Sequence, residues 1–185
     1  PLRGILHAAG VIDDARIVEQ DVSRFERVMA PKVSGAWHLH TQTRGLPLDF
    51  FVLFSSGAAI LGSAGQSNYA AANAFMDALA FVRQAEGRPA LSINWGSWAD
   101  VGMAAEVSEQ HRRRWAEQGL RLIPPADGVQ MLFDTLAGSR SPRVAILPLD
   151  RARLSRSLGV FFERILIGEA TPDARGTSSD DLRQM

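Results

Sequence analysis

The stretch GQSNYAAANAFMDAL, residues Gly65 to Leu79, holds the only tyrosine of the chain, Tyr69, followed by Ala70, Ala71 and Ala72 and then by Asn73. The pattern from 66 to 86 predicts a helix, closed by Gly87 as the residue past its C-cap, with Pro89 beyond. A phenol at the start of a helix is a proton donor at pH 7, and small residues behind it let another group lie close. Tight packing alone would produce the same pattern. The rest of the chain has to choose between chemistry and packing.

Working outward, four short apolar runs read as strands: GILHAAG, DFFVLFSS, ALSINW and VAILPL. The second and fourth are apolar nearly throughout, as parallel strands covered on both faces are. Helical patterns separate them. Val22, Phe25, Val28 and Met29 recur at helical spacing. Pro31 is expected to open a new turn or offset the axis, after which Val33, Ala36, Trp37 and His40 continue an inward stripe. Further helices are expected at about 106–118 and 125–137, the second after Pro124-Pro125. Strands alternating with helices predict an α/β fold with an open, doubly wound parallel sheet. Ligands bind such sheets at the carboxyl ends of the strands, which here read HAAG, FSSG and NWGSW. No GxGxxG turn, the usual pyrophosphate cradle of a dinucleotide fold, is present.

Composition narrows the function classes. At 185 residues the chain is about one domain, and 46% hydrophobic content supports a core. Twenty basic and twenty acidic residues cancel, which gives no argument for nucleic acid or membrane partners. Arg112-Arg113-Arg114 is the one basic run and reads as a solvated helix face. Without cysteine there is no thiolate chemistry, and His7, His38, His40 and His111 form no convincing metal cluster. No apolar run approaches the roughly 18 residues of a membrane span, and no signal-peptide pattern is seen; a soluble, cytoplasmic domain is the expectation. The chain begins almost directly on a buried-strand pattern, as if cut from something longer. The stretch after about 168, GEATPDARGTSSDDLRQM, reads as a linker.

Ser55 and Ser56 close the second strand, Tyr69 opens the helix after it, and Lys32 lies in the helix before it. A hydroxyl, a phenol and an ammonium around one crevice suit reduction of a carbonyl. The hydroxyl holds the carbonyl oxygen, the phenol gives the proton, and the ammonium is expected to lower the phenol's pKa from about 10. Each residue also has a plain structural reading: a strand-end serine caps a turn, a lysine is solvated, a tyrosine packs.

The segment LFSSGAAILGSAGQSNYAAANAFMDALA resembles the active-site segment of ketoreductase domains of modular type I polyketide synthases, within the short-chain dehydrogenase/reductase superfamily. GILHAAGVIDD resembles the segment after their fourth strand, MAPKVSGAWHLH their lysine helix, and SINWGSWADVGMA the strand and loop near the nicotinamide. The resemblance runs over about residues 1–150 and implies a Rossmann-like sheet present only as strands 4 to 7. Residues 1–168 would be the C-terminal part of the ketoreductase domain, and 169–185 a linker toward an acyl carrier protein.

The resemblance also assigns roles. Ser56, thirteen positions before Tyr69, matches the serine that holds the carbonyl, while Ser55 turns the other way. Tyr69 matches the proton donor. Most of the superfamily has a lysine four residues after the tyrosine; Asn73 stands there, and Lys32 matches the exchanged lysine of polyketide and animal fatty acid synthase ketoreductases. The smooth face of Ala70 to Ala72 would let Tyr69 and Asn73 approach the cofactor ribose. Ala8, Ala9 and Gly10 would pass near the ribose, with Gly96 and the Val101-Gly102-Met103 loop by the nicotinamide. The VIDD stretch resembles the Leu-Asp-Asp mark of ketoreductases giving the D-configured (3R) alcohol, with Ile12 for leucine and Asp13-Asp14 following. Leu61, eight residues before Tyr69, replaces the tryptophan of the opposite class. Asp13 and Asp14 would equally serve as helix caps.

The implied reaction is NADPH-dependent reduction of a 3-ketoacyl thioester carried on an acyl carrier protein, with the upstream half of the domain and neighbouring synthase domains as partners. Two alternatives stand beside it: a catalytically incomplete fragment, and the ketoreductase of an iterative, fatty-acid-like synthase. The chain alone is expected to bind NADPH very weakly and to reduce nothing.

Overall fold

A computed structural model describes residues 1–99, 113, 115–117 and 119–150. Four parallel strands form one sheet in chain order: β1 (Gly4–His7), β2 (Phe50–Ser56), β3 (Leu91–Trp95) and β4 (Arg143–Ile146). Each parallel step needs a helical crossover. α1 (Val22–Met29) and α2 (Gly35–Gln42) lead from β1 to β2, α4 (Ser67–Ala85) leads from β2 to β3, and α5 (Pro125–Gly138) precedes β4. All four predicted strands and the helices near 22–42, 66–86 and 125–137 are found. Of the expected helix at 106–118, residues 113 and 115–117 are described and are helical, while the others lie outside the described residues, as does the stretch from 151 onward.

Burial on both faces explains the unbroken apolar strands. Phe51 and Leu53 of β2 point into a core shared with Ala36 of α2 and with Met76, Leu79 and Ala80 of α4. Val52, with Leu91, Ile93 and Trp95 of β3, points the other way, toward Ile123 before α5 and Leu132 on it. Alternation along β3 leaves Ser92 and Asn94 facing α4, both fully buried. Trp95 and Trp98 are packed in the second core, with ring centroids 5.0 Å apart.

Local signals set the helix ends. Asp21 caps α1 by accepting from the Arg24 N–H at 2.9 Å. α4 ends with Gly87 at φ +72°, the Arg88 N–H reaching the Arg83 carbonyl at 2.9 Å and the Gly87 N–H reaching Gln84 at 3.0 Å. The left-handed residue and the long backward bond stop this helix as the sequence predicts. Pro31 offsets the axis without breaking it: Ala30–Ser34 forms a π-helical turn, in which the Gly35 N–H bonds the Ala30 carbonyl. Such insertions recur at functional sites, and this one carries Lys32.

Three particulars differ from expectation. Trp37 is 44% exposed, whereas Ala36 and His40 of its stripe are buried. On α2 itself Trp37 stands one residue, about 100°, round from Ala36, while His40 stands only about 40° from it, so Trp37 falls at the margin of the buried stripe. Val22 lies outside as well, at the first turn of α1. A short helix, α3 (Ala58–Leu61), stands between β2 and α4, where the sequence reading assigns no element.

Candidate active site

The carboxyl ends of β1 and β2 and the first turns of α4 converge on one place. Ser56 is the last residue of β2, and its Oγ accepts from the Ala58 N–H at 3.2 Å. Tyr69 is buried in the first turn of α4, packed with Val28 and Ala72 and with Ile12 against them. Lys32 is 2% exposed, its Nζ 5.2 Å from the centre of the Tyr69 ring. That ammonium donates to the Phe54 carbonyl at 3.1 Å, two residues before Ser56. Asn73, one turn beyond Tyr69, donates through Nδ2 to the Tyr69 carbonyl at 2.7 Å, while its buried Oδ1 has no partner. Ser55 turns to the opposite side, its Oγ donating to the Asn73 carbonyl at 3.3 Å. The four sequence-predicted catalytic positions are thus gathered together.

Gly10 completes this side. A β-carbon placed there would lie 2.8 Å from Cε of Lys32 and 3.3 Å from its Nζ. The absence of a side chain therefore lets the loop after β1 close over the lysine, leaving Ala8 and Ala9 exposed beside it. Gly96 lies at the end of β3, its N–H bonded to the Ile146 carbonyl at 2.9 Å. Val101, Gly102 and Met103 lie outside the described residues.

Burial dominates the charge states of the site. It pushes the Lys32 ammonium down from its ordinary 10.5 to about 8, and the carboxylate of Asp77 acts in the opposite sense. Tyr69 moves the other way from the sequence expectation. Burial raises its pKa above the ordinary 10, although Asn73 and Ser56 favour the phenolate as hydrogen-bonding partners; Asp14 adds to the rise. Removal from water penalises the phenolate more than these partners stabilise it. The phenol is therefore held protonated at neutral pH, which is the state a proton donor needs.

The Asp13-Asp14 loop is fastened to the start of α4. Asp13 pairs with Arg24 and with Arg27, the latter at 2.6 Å. Gln66 Nε2 donates to both carboxylate oxygens of Asp14, at 3.2 and 3.0 Å. Asn68 Nδ2 donates to the Asp13 carbonyl at 2.9 Å, and the Ala15 N–H to Gly65 at 2.9 Å. Neither aspartate caps α1, a task that falls to Asp21. Leu61 ends α3, partly buried.

Beneath these groups lies a polar network that the sequence reading missed. Asp77 of α4 is 4% exposed and accepts from Ser92 Oγ at 2.5 Å and from Asn94 Nδ2 at 2.8 Å. Asn94 Nδ2 also lies 2.9 Å from Ser55 Oγ and 3.2 Å from the Ser56 carbonyl. Two signals were available. Tyr69, Asn73 and Asp77 recur every four residues on one helix face, and LSINW places polar residues at alternate positions of a strand otherwise apolar. A third signal concerns Lys32 itself, which is the only lysine in the chain.

Known proteins resemble this chain in sequence and in fold. A family model described as "KR domain" matches residues 1–100. The phthioceranic/hydroxyphthioceranic acid synthase of Mycobacterium tuberculosis is 48% identical over 185 residues, 99% of this chain and 8% of the synthase. Among solved structures, an A-type ketoreductase from a modular polyketide synthase superposes with a TM-score of 0.78 at 37% identity, over 94% of this chain and 34% of that one. The first ketoreductase of the tylosin polyketide synthase gives a TM-score of 0.76 at 40% identity, over 85% of this chain and 34% of that one. The chain therefore spans about a third of the solved structures it matches.

Proposed function

The chain belongs to the ketoreductase (KR) domain family, and from that premise we propose that it is the C-terminal, catalytic part of a polyketide synthase ketoreductase domain. Its reaction is reduction of a 3-ketoacyl thioester on an acyl carrier protein, with NADPH as reductant. The observation that carries this reading is the convergence of Ser56, Tyr69, Asn73 and buried Lys32 where β1 and β2 end. Carboxyl ends of parallel strands are where such sheets bind ligands.

The residues fit a nicotinamide nucleotide. Asn73 Oδ1 is a buried acceptor with no partner, Lys32 Nζ makes one hydrogen bond among the described residues, and the backbone of Ala8, Ala9 and Gly10 lies open beside them. These are donors and acceptors of the kind that ribose hydroxyls satisfy. A bound nicotinamide nucleotide supplies the hydride. Ser56 Oγ donates to the substrate carbonyl oxygen and orients it. Tyr69 Oη gives that oxygen its proton, and the Lys32 ammonium stabilises the phenolate left behind. Asn73 fixes the first turns of α4 through the Tyr69 carbonyl and offers Oδ1 toward the cofactor.

The tether of Asp13 and Asp14 to Gln66, Asn68, Arg24 and Arg27, together with Leu61, supports a D-(3R)-hydroxyacyl product: it holds the VIDD loop against the tyrosine helix, where it borders the substrate's path. β1 is bonded only to β2 among the described residues and carries Leu6, 51% exposed. An open edge of this kind calls for another strand, and the upstream half of the domain would provide it. The isolated chain is accordingly inactive in this reading. The test is to assay the complete domain against a 3-ketoacyl thioester with NADPH, beside residues 1–185 alone. Consumption of nicotinamide by the complete domain only is the expected result; no reduction by the complete domain would end the reading.

A further inference from the structure

The polar network under the site bears on the same reduction, and its role rests on the functional reading above. Asp77 is a buried carboxylate without a direct ion pair among the described residues. Left so, it is costly unless hydrogen bonds and a nearby cation compensate. The hydrogen bonds come from Ser92 Oγ and Asn94 Nδ2. The compensating cation is Lys32, across the site.

Through Asn94 the carboxylate reaches the reacting groups from two sides. Asn94 Nδ2 contacts Ser55 Oγ at 2.9 Å, which donates to the carbonyl of Asn73 at 3.3 Å, and it contacts the carbonyl of Ser56 at 3.2 Å. Asn73 in turn bonds the Tyr69 carbonyl at 2.7 Å. The backbones that carry Ser56, Asn73 and Tyr69 are thereby joined to one anchor.

We propose that Asp77 is a positioning residue for the reduction, acting through Asn94 and Ser55 on the placement of Ser56 and Asn73. Asp77 touches neither substrate nor cofactor. Among the described residues, the ionisable groups that act on Lys32 or lie against it are His7 from β1 and Tyr69 and Asp77 from α4. His7 is held toward its neutral form, by burial first and by Lys32 second, and Tyr69 is protonated. Asp77 is the one carboxylic acid among them.

Charge and position separate by substitution in the complete domain. Asp77→Asn keeps the shape and removes the charge. In this variant the Lys32 titration, followed by side-chain NMR, moves below the value of about 8 in the parent. The alkaline limb of kcat moves with it, while Asp77→Glu restores both. Asn94→Ala leaves the carboxylate on Ser92 and cuts only the link to Ser55 and Ser56. Its kcat falls roughly ten- to a hundredfold, the cost of a reacting group displaced by up to about an ångström, with the Lys32 titration unmoved. A merely structural network would lower the amount of folded protein and leave both readouts as in the parent.

An unmoved Lys32 titration in Asp77→Asn overturns the compensation of this carboxylate by Lys32, and parental kcat in Asn94→Ala overturns the positioning role. Should Asp77→Asn fail to fold, Asp77→Glu with a parental titration and Asn94→Ala with a lowered kcat carry the proposal. The opposite results refute it. Because the Lys32 titration needs no turnover, a parent domain that reduced nothing would sink the functional reading and still leave Asp77 to be judged.

Discussion

Replacing Lys32 by methionine should make the complete domain more stable while removing its activity. Methionine matches the length of the lysine stem and carries no charge. In the folded protein the ammonium titrates at about 8 instead of its ordinary 10.5. That gap, at about 1.36 kcal/mol for each tenfold step, means that folding disfavours the charged form by about 3 kcal/mol relative to the neutral one, compared with the unfolded chain. Losing the hydrogen bond to the Phe54 carbonyl takes back about 1 kcal/mol, so a net gain of about 2 kcal/mol at pH 7 is expected. The sign comes from proton counting: between about pH 8 and 10.5 the unfolded chain binds more protons at this group than the folded one, so its contribution to stability rises with pH there. Urea unfolding of parent and Lys32→Met at pH 7 and at pH 9.5 checks both points. The advantage of the variant should be largest at pH 7 and shrink toward pH 9.5. A variant less stable than the parent at pH 7, or a difference that does not change with pH, refutes the reasoning.

Further expectations concern the donor, the histidines and the product. Tyr69→Phe should lower kcat by about 10² to 10⁴-fold, the usual contribution of a general acid, with NADPH affinity near that of the parent by fluorescence titration. His40 is fully buried between Arg83 (3.3 Å) and Arg44 (3.2 Å), and burial first, then these guanidiniums, hold its pKa below the ordinary 6.5. Stability should therefore be present above pH 6.5 and be lost as pH falls below it; urea midpoints at pH 7.5 and 5.5 should converge in His40→Gln. Chiral analysis of the reduced thioester should show the D-alcohol, and freeing the VIDD loop by Asp14→Ala should raise the L fraction.

How much of this was legible depended on the kind of information each feature carries. The sheet could be read because parallel strands buried on both faces must be apolar throughout, and β2 is (FFVLF before its serines). The end of α4 was readable because Gly87 alone tolerates the left-handed turn required there. Ser56, Tyr69, Lys32 and Asn73 were readable through the resemblance of their segments to ketoreductases, and they come together in space. Burial was not. Without knowing that Tyr69 is enclosed, the sequence predicts that a neighbouring ammonium lowers the phenol's pKa, whereas desolvation raises it. The exposure of Trp37 was hidden because it borders the buried stripe of Ala36 and His40 on α2, and an apolar residue at such a margin reads as inward in the sequence. The Asp77 network escaped because its parts, Ser55, Asp77, Ser92 and Asn94, come from three elements whose adjacency only the fold supplies.

The single lysine gives these points a common explanation. Every other basic residue that brings the total to twenty is arginine, including Arg83, which is buried against the Phe51 ring at 3.8 Å and bonded to the Pro89 carbonyl at 3.1 Å. This fold therefore accommodates a buried guanidinium where only structure is required. Beside Tyr69 it carries an ammonium, a compact charge that titrates readily when desolvated. A guanidinium there would hold its charge at every pH and need a wider space than Gly10 leaves above the lysine stem. An ammonium near 8 sits close enough to neutral pH to remain charged for most of the population, and the carboxylate of Asp77 favours that charge. The choice of lysine, the missing side chain at Gly10 and the buried carboxylate are thus three parts of one electrostatic arrangement around the tyrosine.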